Sequence, residues 1–178
     1  MKALSNVFIA LLFLSSPSFL PGQDAPRKTA DLPLFKALLG KRRESGVLIP
    51  QANAESIPGK AVSFGKPALG GLWFQIDGRA QYGPVTWEYR WMFQFQEGGG
   101  KNRVIGTYLD TMGQRITYEG LYDEENNRIQ LMARLQDGGT GRFQISMESP
   151  ELVLIGSVHS DANDDPQVTY SAQNVAAE

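Results

Sequence analysis

His159 is the only histidine in the chain, so a catalytic triad or an imidazole metal site would have to run through it. No serine lies in a Gly-x-Ser-x-Gly elbow, and a lone imidazole cannot make the histidine cluster of a zinc site. The chain has no cysteine, which removes thiol nucleophiles, thiolate metal sites and disulfides. Asp77, Glu88, Asp110 and Glu119 could pair for acid–base hydrolysis, which needs two carboxyl groups about 5–10 Å apart. No spacing in the sequence brings any two of them together. Asp110 is the one candidate turn or site acid, and the competing reading has it accept backbone N–H groups in its own turn. Residues 161–165, Asp-Ala-Asn-Asp-Asp, match the opening of a calcium loop. Pro166 stands at the glycine position and Ala172 where a bidentate glutamate belongs, so a solvated turn is expected and no metal is assigned.

Recognition of an apolar molecule has a stronger candidate. Residues 85–96 read Val-Thr-Trp-Glu-Tyr-Arg-Trp-Met-Phe-Gln-Phe-Gln. Val85, Trp87, Tyr89, Trp91, Phe93 and Phe95 alternate with residues that are polar except for Met92. This is the period of a β-strand with one buried face and one wet face. As core, each ring would contribute about 2–3 kcal/mol. As a wall, the same rings would line a mostly apolar cavity with a few polar groups. Arg90, flanked by Glu88 and Gln94, belongs to a wet ladder, or holds a carboxylate if it turns inward.

The elements that must position these residues follow in order. Residues 1–22 have the form of a secretory signal: Lys2, an apolar run over residues 7–14, then small or helix-breaking residues to Gly22. The run is too short to span a bilayer, which takes about 20 residues, so no integral membrane segment is expected after signal removal. The protein is expected to be exported, to a periplasm or the extracellular space. Residues 23–30 read as a flexible leader, and residues 31–178 as one barrel domain. Asp31 is expected to cap a short helix carrying Leu34, Phe35, Leu38 and Leu39 on one face, with Gly40 as its stop. That helix should plug one end of a sheet.

From Lys41 onward, strand patterns alternate with short turns. Two weak strands, 44–49 and 60–64, precede clearer ones at 71–77, 85–96, 103–110, 115–122, 128–136, 142–148, 152–159 and 167–172. Such spacing is that of an all-β sandwich or barrel. A meander this long must close to protect its edges, so an antiparallel up-and-down barrel of about 8–10 strands is expected first and a β-sandwich second. The 17 basic and 19 acidic residues give a net charge of −2, without the concentrated basic footprint of a nucleic-acid binder. The one basic run, residues 41–43, reads as a solvated element end.

The order and spacing of Leu-Gly-Gly-Leu-Trp at 69–73, Gly-Thr-Tyr-Leu-Asp-Thr-Met-Gly at 106–113 and Tyr-Glu-Gly-Leu-Tyr-Asp at 118–123 resemble a known group across residues 36–172. It is a family of uncharacterised, mostly bacterial and often exported proteins, catalogued as a domain of unknown function. The resemblance implies a lipocalin-like or fatty-acid-binding-protein-like barrel and no agreed activity. The chain departs from that family at its opening. A Gly-x-Trp segment commonly closes the floor there, whereas Gly40 is followed by Lys41, Arg42 and Arg43. Nitrobindin-like barrels, a related shape, bind haem through a histidine near the C-terminal strands. That makes His159 a candidate haem ligand; otherwise it is a strand-end residue meeting solvent and no cofactor is present.

The leading expectation is a non-enzymatic binder of a small apolar ligand, with Trp73, Trp87, Tyr89, Trp91 and Tyr108 as wall residues. Its rival is an interaction or structural module with a filled barrel. A third reading is a hydrolase-like activity at the barrel mouth through Asp110.

Overall fold

The computed structural model of the protein describes residues 27–98 and 101–177. Ten strands run β1 (Gly40–Ile49), β2 (Ile57–Ala68), β3 (Trp73–Tyr82), β4 (Val85–Gly98), β5 (Lys101–Asp110), β6 (Arg115–Asp123), β7 (Arg128–Arg134), β8 (Thr140–Met147), β9 (Leu152–Ser160) and β10 (Pro166–Ala176). Each pairs antiparallel with its neighbours in sequence, and β1 pairs with β10 to close the barrel. The antiparallel up-and-down barrel is therefore the fold, and the sandwich is not. Closure satisfies the backbone groups that an open meander would leave on two edges. The aromatic strand β4 is the longest, paired from Val85 opposite Tyr82 to Gly98 opposite Lys101.

β1 begins earlier than its sequence suggested, at Gly40, and this corrects the reading of the basic run. Lys41 and Arg43 face outward, but Arg42 falls on the inner phase and is 3% exposed. Its Nε donates to Asn174 Oδ1 at 2.6 Å, and Nη2 donates to the Asn174 and Glu151 carbonyl oxygens, each at 2.9 Å. Arg42 thus stands two residues after Gly40, where the resembled family carries tryptophan, and ties the floor by hydrogen bonds instead of a ring.

The expected N-terminal helix is present as α1 (Pro33–Ala37). Its cap is Leu32, without a side-chain hydrogen bond; Asp31 ends a preceding 3-10 turn, Thr29–Asp31. Leu32, Leu34, Phe35 and Leu38 are buried, whereas Leu39 is exposed because the helix has already ended at Ala37. Gly40 opens β1 with φ 75° and is not the helix cap.

The signal and most of the leader, residues 1–26, lie outside the described residues. The flexible leader does not extend to residue 29. Thr29 is fully buried, its hydroxyl donating to the Leu72 carbonyl at 2.6 Å and accepting the Phe95 N–H at 2.8 Å. One threonine pins the segment to β4 and to the turn before β3. Thr29→Val should leave that amide and that carbonyl unpaired and lower unfolding free energy by about 1–3 kcal/mol. Urea denaturation checks this, and an unchanged midpoint would mean that water replaces the hydroxyl.

Candidate functional site

The inward face divides the barrel into two halves of different chemistry. At the helix-plugged end, Phe35 sits 5.0 Å from Phe74 and 5.4 Å from Phe93, ring centre to ring centre. Val104, Ile129, Leu131, Ile145 and Val153 complete a dry, filled core. Above it, Trp91 of β4 stacks on Phe143 of β8 at 4.2 Å and packs on Tyr108 and Tyr118. β4 and β8 are four strands apart, so this stack bridges the lumen and forms a partition across it.

Beyond the partition the inward residues change. Ala61, Ser63, Ala80, Gly141 and Ser157 are small, and Trp87, Tyr89, Tyr108, Ile155 and His159 are only half-buried although they share the inner phase. Large rings lie flat along the wall here. A Cβ at Gly78 would meet the Tyr89 ring at 2.2 Å, and one at Gly59 would meet the Tyr82 ring at 2.4 Å. Those glycines are what let tyrosines on β3 and β4 lean over the neighbouring strand. This half of the lumen, at the end opposite α1, forms a cup whose inward residues stay partly accessible.

At its floor sits Glu44, 5% exposed. Its Oε1 accepts from the Tyr89 hydroxyl at 2.8 Å and its Oε2 from the Tyr170 hydroxyl at 2.9 Å. Tyr170 meets Tyr82 edge-on at 5.6 Å, and Tyr82 packs on Trp87 at 5.6 Å. The buried Tyr82 hydroxyl lies beside that of Tyr170 but outside ordinary hydrogen-bond geometry. Burial, and then the Glu44 carboxylate, push the Tyr89 and Tyr170 phenols far above the ordinary range. Both therefore stay protonated and act as donors.

On the other side of the cup the Tyr108 hydroxyl donates to Asp110 Oδ2 at 3.0 Å. Asp110 Oδ1 accepts the N–H groups of Met112 and Gln114 at 3.0 and 2.9 Å, the Asx-turn role. His159 faces the interior, its Nε2 3.0 Å from the Tyr118 hydroxyl, which any metal bound at that nitrogen would displace. Burial holds the imidazole below its ordinary range, with the Asp137 carboxylate pulling the other way. The unfolded chain therefore takes up this proton more readily than the folded one. Above about pH 6.5 neither state is charged there, and below it stability declines until the folded-state value is passed. Melting temperature should fall more steeply below about pH 6.5 in the wild type than in His159→Gln. Parallel curves would show that the ring is not held neutral.

Of the residues expected from sequence, Trp87, Tyr89 and Tyr108 line the cup. Trp91 lies in the partition, 8% exposed, and is core more than wall. Trp73 is a correction: it is out of phase with Phe74 and Ile76, and lies on the outer face opposite Gln94. Arg90 is also outside, 2.6 Å from Asp77, which Lys66 approaches at 3.3 Å. Glu88 is exposed and Glu119 pairs with Arg103 outside, so neither joins Asp110. Asp161 Oδ1 accepts the N–H groups of Asn163 and Asp165, forming the expected turn. Among the described residues no three His, Asp or Glu side chains converge to hold a metal. Sequence reasoning missed Glu44, Tyr170, Tyr82 and Arg42; the alternation of β1, read outward from Leu48, was the available signal for two of them.

Two open cavities, about 450 and 470 Å³, lie on the outer wall beside Val62, Phe64 and Asp77, and beside Glu119, Met132 and Arg134.

No protein-family model matches the chain, and no curated relative was found. The structure is similar to that of the S-type phycobiliprotein lyase CPES from Guillardia theta, with a TM-score of 0.60 at 10% sequence identity. The match covers 81% of this chain and 90% of that one. At that identity the likeness is one of fold.

Proposed function

We propose that the protein binds a small, mainly apolar molecule in the cup, without catalysing a reaction on it. The observation that carries this is the half-burial of Trp87, Tyr89 and Tyr108, inward-facing rings above the Trp91–Phe143 stack. Apolar walls with a few fixed polar groups are the usual makeup of small-molecule sites. A ten-strand barrel is also wider than the eight-strand size that side chains just fill. The fold similarity to the lyase named above is consistent with a small ligand held by the barrel. Asp110 supports a turn role over acid–base chemistry, since two amides and a phenol engage it. The filled lower half and the outer cavities favour a second reading, a scaffold whose partner docks on the exterior.

Native mass spectrometry of the protein purified from its source compartment tests the first reading. A bound small molecule, lost in Trp87→Ala and kept in Trp73→Ala, is expected. A clean apo mass, with no tryptophan fluorescence change on titrating lipids or haem, would transfer the case to the scaffold. The reading includes export through residues 1–22, and the N-terminus of the mature protein checks that part.

A further inference from the structure

We propose that the ligand of the cup is a protonated amine on an apolar body, received by the carboxylate of Glu44. The inference rests on the binding reading above and names its chemical class. Glu44 is buried on the cup floor, and each of its oxygens accepts one phenol hydrogen in the structure. A carboxylate can accept about four hydrogen bonds, so lone pairs remain for a further donor. None of the six ion pairs among the described residues involves Glu44. Arg42 lies two residues away on the same face, but its guanidinium is spent on Asn174 and the Glu151 carbonyl. Arg42 feels the Glu44 carboxylate through space but gives it no hydrogen bond, so every hydrogen bond the carboxylate accepts comes from a neutral phenol and its remaining lone pairs can take a charged donor.

The surroundings suit an ammonium group and its carbon body together. Tyr89 stacks near Tyr108 at 6.3 Å, and Tyr170, Tyr82 and Trp87 form a second run of rings. Tyr89 and Tyr170 bring both runs to the same carboxylate. Ring faces attract cations, and Trp and Tyr are the strongest of them. An anionic ligand would meet Glu44 with like charge, and a neutral one would leave the carboxylate as it stands.

The test is isothermal titration calorimetry with three probes of one shape: phenethylamine, 2-phenylethanol and 3-phenylpropanoate. The amine should bind at least about 10-fold more tightly than the alcohol, and the carboxylate more weakly than either. Glu44→Gln should abolish the preference for the amine while keeping the alcohol's affinity. Should that variant fail to fold, Tyr170→Phe, which removes one competing donor, should retain or enlarge the preference. Equal affinities for amine and alcohol on the wild type would overturn the amine assignment and leave the binding cup standing. No binding of any probe, with a clean apo mass from the native protein, would remove both.

Discussion

Trp91→Ala lowers the unfolding free energy by about 3–5 kcal/mol, the expected result of emptying the partition. The ring is 8% exposed and touches four others: Phe93 at 5.2 Å, Phe143 at 4.2 Å, Tyr108 at 5.0 Å and Tyr118 at 5.5 Å. β4 and β8 are not hydrogen-bonded to each other, so no backbone ladder holds the gap closed once the ring is gone. Far-UV circular dichroism in urea measures the loss without relying on the deleted fluorophore. Trp87→Ala makes the contrast. Its ring is half-buried at the cup, so it should cost less stability than Trp91→Ala and more ligand affinity. If the two variants unfold alike, the partition is not a separate layer.

Glu44→Ala is expected to cost about 2–5 kcal/mol, although it removes a buried polar group. The loss comes from what remains: two buried phenols, on β4 and β10, deprived of their acceptor. Adding Tyr89→Phe and Tyr170→Phe to Glu44→Ala should recover part of that loss, because no orphaned hydroxyl is then left. Thermal melts of the single and triple variants decide this. A triple variant less stable than Glu44→Ala by the sum of the separate tyrosine losses would show that the three groups do not act as a unit.

Where each strand runs was largely legible, because one buried face imposes a period of two and turns are marked by glycine and polar residues. β4 shows the limit of what such a pattern says. It identifies the inward rings but not whether they reach a partner across the lumen, which depends on Phe143, 52 positions later in the sequence. Aromatic character alone does not make Trp73 an inward residue; Phe74 and Ile76 set the phase of β3. The polar floor was the least visible. Arg42 lies inside a basic run that looks solvated, and Glu44 meets its phenols across 45 and 126 positions. His159 had apolar neighbours on both faces of its strand, so only the β8 register, Gly141 opposite His159, tells which way it points.

The pairing of β1 with β10 has a consequence for how the molecule comes into being. Arg42 lies opposite Ala176, and the Ala177 N–H donates to the Lys41 carbonyl at 3.0 Å. β1 and β10 are thus neighbours, so a chain still being synthesised cannot complete its barrel until β10 is available. Every earlier intermediate has two bare strand edges, and forming the last seam requires the longest loop closure among the described strand pairs. The same adjacency allows the chain to be reopened at an exposed turn. A circular permutant joining the two strands and opening at Gly83-Pro84 would keep every strand pair except the bridge across that turn, and would bring β1 and β10 together locally.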